Sequence, residues 1–221
     1  MLLNNFDAVF FDLDGTLVDS MWVWAEVDKV FLGTRNIPIP TDMDEDLEGK
    51  SFTETAIYFQ NRFKLDMSVE AIKDEWNALA SELYTTKVSL KVGVKEFLDF
   101  LKANNKKMAV ATSNSPELAA SCLNSLGVLS YFDIIKTGCE VGKGKPNPDI
   151  YLACAATVGV EPSRCLIFED IPNGILAGKN AAMTAWLIKD TQDKNTWQRG
   201  LDIADHHVSD YFEAIKLLSA D

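Results

Sequence analysis

Asp12 and Asp14 stand two residues apart at the end of an apolar run, Ala8-Val9-Phe10-Phe11, and Gly15-Thr16 follows at once. On extended backbone an i, i+2 pair projects to one side while Leu13 projects to the other. Two carboxylates held together repel, so at neutral pH they call for a cation between them or a shared proton. A capped turn would use the same residues, and three further clusters turn the reading toward chemistry. Thr112-Ser113-Asn114 offers a hydroxyl, an amide and the backbone N–H groups of a helix start, which suit an anion. Gly142-Lys143-Gly144-Lys145-Pro146 sets Lys145 in a glycine-proline loop ahead of a helix. Leu166-Ile167-Phe168 runs, like the first stretch, into paired carboxylates, Glu169 and Asp170. Together the four clusters would hold a hard divalent cation such as Mg²⁺ against a phosphate whose remaining oxygens meet Ser113 and Lys145. The cation would relieve the repulsion that keeps Asp12 from attacking a dianionic phosphate, so the set reads as a phosphoryl-transfer site.

The elements that must position these clusters follow from pattern. Ala8 to Phe11 is apolar without alternation, as in a strand covered on both faces of a parallel sheet. Strands are predicted also over 107–112, 132–136, 165–168 and 184–188, and helices over 94–101, 147–158, 174–182 and 211–218. A further helix starts with Ser115 as cap and Pro116 at its first position. Between the first two strands the pattern is helical without a strand signal: 19–31 with Val23, Val27, Val30 and Phe31 on one face and Asp19 or Ser20 as cap, then 42–48, 51–63, and 69–84 with Val69, Ile72, Trp76, Leu79 and Leu83 aligned. This alternation predicts an α/β fold, a doubly wound parallel sheet with right-handed crossovers. Residues 1–16 and 87–221 would form that core domain, and residues 17–86 a small all-helical domain inserted after its first strand. The insertion carries roughly two-thirds of the net negative charge.

A formal charge of -12 over 221 residues argues against nucleic acid or an anionic membrane as partner, since affinity for those rests on Lys and Arg. The two histidines, His206 and His207, are adjacent and read as an ordinary loop or strand edge, which leaves little for histidine-ligated metals or Ser-His catalysis. Cys122, Cys139, Cys154 and Cys165 show no CxxC spacing, so reduced thiols are expected. The amino terminus has no signal-peptide pattern and no apolar run approaches membrane-spanning length, so a cytoplasmic protein is expected.

Asp12-Leu13-Asp14-Gly15-Thr16, Thr112-Ser113-Asn114, Lys145-Pro146 and Phe168-Glu169-Asp170, in this order and with cap-sized spacing after the first, make the whole chain similar to the haloacid dehalogenase superfamily. Within it the chain resembles the group with a helical C1-type cap on a Rossmann-like core, close to the β-phosphoglucomutase-like phosphatases. The resemblance implies that Asp12 is a nucleophile forming an aspartyl-phosphate, and that Asp14 protonates the leaving alcohol and then activates water. It implies Mg²⁺ bound by Asp12, the backbone carbonyl of Asp14 and Asp170, with Glu169 helping directly or through water. Ser113, Lys145 and Asn114 would hold the phosphate.

Two departures from the family's pattern are Ile171, where a Ser often follows the acidic pair, and Val92-Gly93 at the cap exit. In the cap loop Leu47-Glu48-Gly49-Lys50-Ser51-Phe52, Glu48 and Phe52 stand where sugar-phosphate mutases of the group carry basic residues, and a histidine near Trp24 is missing. The expected activity is therefore Mg²⁺-dependent hydrolysis of a small phosphorylated metabolite, a sugar phosphate or similar monoester, with a phosphomutase as the alternative and no protein partner implied. A dehalogenase would not need Asp14, Glu169 and Asp170, and a receiver-type switch would not need the helical insertion. Trp22 and Trp24 either fill the cap core or wall the leaving group. Lys50 is either a solvated loop residue or the cap's cation aimed at the site.

Overall fold

The computed structural model describes residues 1–220. Its sheet has six parallel strands, β1 (Ala8–Phe11), β4 (Lys107–Thr112), β5 (Ile134–Thr137), β6 (Cys165–Glu169), β7 (Thr184–Ile188) and β8 (His206–Val208), in the order β5-β4-β1-β6-β7-β8. Because β1 lies between β4 and β6, it is covered on both faces, which is why all four of its residues are apolar and buried. The order reverses beside β1, and open sheets leave a crevice at such a point beyond the strand ends.

The two faces are built differently. Val9, Phe11, Val110, Phe168 and Trp186 point to one, where they meet α5 (Val94–Ala103), α6 (Pro116–Ser125) and α11 (Tyr211–Ser219). Phe11 stacks on Phe168 at 5.6 Å, and Phe97 and Tyr211 close the cluster at 5.1–6.2 Å, within the range of favourable aromatic contact. Ala8, Ala109, Ala111 and Ala185 point to the other face, where small side chains let α8 (Asp149–Val158) and α9 (Pro172–Asn180) lie close on the sheet.

Beyond β1 the chain forms β2 (Val18–Asp19), then α1 (Met21–Gly33), α2 (Met43–Leu47), α3 (Phe52–Arg62) and α4 (Val69–Thr86), and returns through β3 (Ser89–Leu90), which pairs antiparallel with β2. β2 corrects the reading of residues 17–86 as helix throughout; two residues were too short a signal against the long helical pattern. Other elements had no expectation, among them β8 and α10 (Lys194–Leu201) with Asp193 as its cap. The bland reading of the histidines fits, since His206 packs on Trp186 at 4.8 Å in the edge strand β8. A short helix, α7 (Gly138–Val141), precedes the Lys145 loop.

The buried stripe of α4 differs from the expected one. Ile72, Trp76, Ala80 and Tyr84 are buried, while Leu79 and Leu83 are only half-buried, and on α1 Val30 is exposed. Spacing by four keeps the stripe on one side of the helix and ends it on Tyr84, above β1. Among the described residues no helix is long and apolar enough to cross a membrane, and all four cysteines are free.

Candidate active site

β1 and β6 end level because Phe11 registers against Phe168. Asp12, Glu169 and Asp170, at these ends, each offer a carboxylate oxygen within 4.8 Å of the others. All three are buried, Glu169 completely. Lys145 reaches the same point from the loop before α8. Its ammonium donates to Asp12 Oδ1 at 2.6 Å and to the Ala111 carbonyl at 3.1 Å, and pairs with Glu169 Oε1 at 2.5 Å. The Tyr151 hydroxyl on α8 also donates to Glu169.

Burial pushes the Asp12 carboxyl well above the ordinary aspartate range; Lys145 opposes this, and Glu169, Asp170 and Asp14 add to it. Burial likewise raises Glu169, and raises Asp170 to about 8 with help from Glu169 and Asp190. For Lys145 burial acts against the charged form, but Asp12 and Glu169 outweigh it and hold the ammonium protonated. Lys145 thus pairs with two of the three carboxylates and leaves Asp170 without an ion pair, and Glu169 Oε2 is buried without a hydrogen-bond partner among the described residues. Hard oxygen donors, a charge deficit and an orphaned buried oxygen fit a hard divalent cation. Gly174 at the start of α9 makes room for this: a Cβ there would overlap the Glu169 carboxylate.

Thr16 Oγ1 donates to Asp170 Oδ1 at 3.1 Å, and Gln192 Nε2 holds the Asp170 carbonyl at 2.7 Å. Lys91, just past β3, donates to the Gly15 carbonyl at 2.6 Å, the Lys189 carbonyl at 2.7 Å and Asp190 at 2.7 Å. One ammonium therefore ties the turn after β1 to the loop after β7.

Asp14 faces a different set. β1 ends at Phe11, so the extended geometry assumed for the pair stops short of it. Its Oδ1 accepts from Ser20 Oγ at 2.5 Å and from the Tyr84 hydroxyl, and its Oδ2 accepts from Asn114 Nδ2 at 2.9 Å. Ser20 stands at the N-cap of α1, but its hydroxyl serves Asp14 and makes no cap bond, contrary to the expected capping role. Asn114 Nδ2 also bonds Tyr84 at 2.9 Å, and the Asn114 backbone N–H is taken by Thr112 Oγ1 at 3.0 Å. Both kinds of donor on Asn114, expected to face phosphate, are thus already engaged, the amide by Asp14 and Tyr84 and the N–H by Thr112. Burial raises the Asp14 carboxyl, against the lowering effect of these three donors. Ser113 is half-buried, its carbonyl accepting the Phe52 N–H at 2.9 Å, and its hydroxyl bonds no other described residue.

The helices α1 to α4 close over this point. Trp24 packs on Phe52 at 5.8 Å and on Tyr84 at 6.1 Å, whereas Trp22 is exposed and donates to the Asp19 carbonyl, so the two tryptophans do not act as a pair. Glu48 accepts from the Asn173 N–H at 3.2 Å and pairs with Arg199 at 3.2 Å, while its carbonyl accepts Asn173 Nδ2 at 2.9 Å. Lys50 is half-buried; its backbone N–H donates to the Leu47 carbonyl at 3.0 Å, and its ammonium forms no hydrogen bond or ion pair with another described residue. Tyr84, Tyr151, Gln192 and Lys91 were not singled out from the sequence, and Thr16 stood there only as the end of the motif around Asp12 and Asp14. Only Tyr84 left a signal, as the last position of a four-residue spacing from Ile72.

Residues 6–182 match the haloacid dehalogenase-like hydrolase family. The chain is 33% identical over 190 residues to the β-phosphoglucomutase of Bacillus subtilis, covering 80% of this chain and 81% of that protein. It is 29% identical over 177 residues to a phosphorylated carbohydrates phosphatase of Thermotoga maritima, covering 80% and 82%. A crystal structure of β-phosphoglucomutase from Clostridium difficile superposes with a TM-score of 0.80 at 24% identity, over 96% of each chain, a likeness of fold. The chain belongs to the haloacid dehalogenase-like hydrolases.

Proposed function

Given that membership, we propose that the chain is a Mg²⁺-dependent phosphatase of a small phosphorylated metabolite, a sugar phosphate or similar monoester, acting in the cytoplasm. The observation that carries the reading is the split between two carboxylate environments: Asp12 beside Lys145, and Asp14 held apart by Ser20, Tyr84 and Asn114. A nucleophile needs the first and an acid-base the second. The relative in Thermotoga maritima, named as a phosphatase of phosphorylated carbohydrates, supports the substrate class.

In this reading an Asp12 carboxylate oxygen attacks phosphorus and the P–O bond to the alcohol breaks. Asp14 supplies the proton that the leaving alkoxide takes, which sets the aspartyl-phosphate on Asp12. Asp14, now a carboxylate, accepts a proton from water as the water oxygen attacks phosphorus, and the bond from phosphorus to Asp12 breaks to release inorganic phosphate. Lys145 and the free Ser113 hydroxyl hold the phosphate oxygens through both steps. Asp12, Asp170 and the Asp14 carbonyl would hold Mg²⁺, with Glu169 directly or through water, and the bound ion would neutralise charge between nucleophile and substrate. Residues 17–86 act as the cap, with Trp24 in the aromatic wall above Asp14 and Lys50 as the cation free to meet the substrate.

Inorganic phosphate release from a panel of sugar phosphates, nucleotides, polyol phosphates and an aryl phosphate, with and without Mg²⁺, tests this. Mg²⁺-dependent release that Asp12→Asn abolishes is expected; release that survives the substitution would end the proposal. The match to a β-phosphoglucomutase favours a second reading, a phosphomutase, in which isomerisation driven by a bisphosphate outruns phosphate release. Against it, Glu48 and Phe52 offer no positive charge for a second phosphate.

A further inference from the structure

Lys145 is fixed at its tip by Asp12, Glu169 and Ala111, but its backbone sits in a glycine-rich loop between α7 and α8. The residue before it, Gly144, is held from two sides. The Gly144 carbonyl accepts from the core, from Asn147 N–H at 3.1 Å and Asn147 Nδ2 at 2.8 Å. The Gly144 N–H donates across to the helical insertion, to Glu54 Oε2 at 3.0 Å. Glu54 is the third residue of α3, and the same oxygen accepts from the Ser51 N–H at 2.8 Å and the Ser51 hydroxyl at 2.8 Å. A capping box, in which the Glu54 N–H also donates to Ser51 Oγ at 3.3 Å, accounts for the bond from the Ser51 N–H, and the adjacent hydroxyl adds the second. It does not account for the third, which reaches a buried backbone N–H 90 positions away.

The approach is close enough to dictate residue type on both sides. A Cβ on Gly144 would lie 2.6 Å from Glu54 Oε2 and 2.7 Å from the Ser51 nitrogen, and one on Gly49 would lie 2.5 Å from the Lys145 carbonyl oxygen. The loop that carries Lys145 is therefore docked on α3 along bare backbone. If the insertion lifts away, the Gly144 N–H exchanges this fixed acceptor for water, which holds the loop in no one place.

From this geometry we propose that Glu54 is a positioning residue for Lys145: its carboxylate anchors the Gly144 peptide, so that the lysine is set for phosphate only while the helical insertion is seated on the core. The proposal rests on the phosphatase reading above and adds to it a way for cap closure to complete the phosphate site.

The test compares Glu54→Ala, Glu54→Gln, Glu54→Asp and Ser51→Ala in the Mg²⁺-loaded protein. The readouts are inorganic phosphate affinity by calorimetry, and KM and kcat on an aryl phosphate. Gln keeps the acceptor; Ala removes it; Asp withdraws it by one methylene; Ser51→Ala weakens the α3 cap but leaves the bond to Gly144. Expected are about tenfold weaker phosphate binding and a KM raised to match in Glu54→Ala, the worth of one hydrogen bond. Glu54→Asp should share the loss, whereas Glu54→Gln and Ser51→Ala should stay within about twofold of the parent. Should Glu54→Ala not fold, the Asp and Gln variants carry the same contrast. Equal effects of Glu54→Ala and Ser51→Ala, or unchanged phosphate binding in Glu54→Asp, would overturn the assignment while leaving the phosphatase reading standing. A parent protein that neither binds nor releases phosphate would overturn both.

Discussion

Stripping divalent cations from the protein should make it lose stability as pH rises from 5 to 8, the reverse of what paired surface carboxylates produce. Burial, with Glu169 and Asp190, raises the Asp170 carboxyl to about 8, whereas an aspartate in the unfolded chain titrates near 3.9. Below the lower value both states hold the proton and the fold keeps its full stability. Above it the unfolded chain releases the proton first, and stability falls until pH passes the folded value. Each pH unit in that window costs at most about 1.4 kcal/mol for one group, so three units cost at most about 4 kcal/mol. For a chain of this size that is a fall in Tm of about 8–16 °C. Asp12, shifted in the same direction, adds to the fall. Scanning calorimetry in chelator at pH 5, 6, 7 and 8 measures it. Mg²⁺ should then restore stability most at pH 8, by about 2.7 kcal/mol at a hundred times its Kd. Asp170→Asn should flatten the chelated profile. A chelated Tm that does not move between pH 5 and 8, or one that falls as steeply in Asp170→Asn, would refute the reasoning.

Asp14→Asn should lower turnover by roughly 10²–10⁴-fold, the worth of general acid-base help, with inorganic phosphate affinity kept within about twofold; unimpaired turnover would remove Asp14 from that role. Gly174→Ala sets a methyl group against the Glu169 carboxylate and should destabilise by about 1–3 kcal/mol while raising the Mg²⁺ concentration needed for activity. An unmoved urea midpoint would count against that packing. The Glu48–Arg199 pair, whose arginine is half-exposed, should show a coupling of about 0.2–1 kcal/mol in a double-mutant unfolding cycle; zero coupling would leave the bonds to Asn173 as the contact that holds the loop.

The amino-acid order alone determined the strand ends. A run such as Ala8 to Phe11, apolar without alternation and cut short by a glycine turn, reads as a strand covered on both faces, and the carboxylates after it fall where that strand stops. Lys145 was legible for the same local reason, a lysine fixed by a glycine-proline loop ahead of a helix. Boundaries slipped where local signals conflict: α8 begins at Asp149, not 147, because Pro148 stands at its cap, and β5 begins at Ile134, not 132, after a short turn of helix through Tyr131. What periodicity and turn chemistry do not encode is the partner of a polar atom across the chain. Ser20 reads as a helix cap until the fold brings Asp14 within reach. Tyr84 reads as one more apolar residue until α4 docks over β1 and joins positions 70 apart. Asn114 reads as a phosphate donor until Asp14 and Tyr84 claim its amide. The carboxylates are written into the sequence because each stands at its own strand end. Which of them meets a lysine and which meets a tyrosine depends on how helices far along the chain pack against that end, and tertiary structure alone decides that.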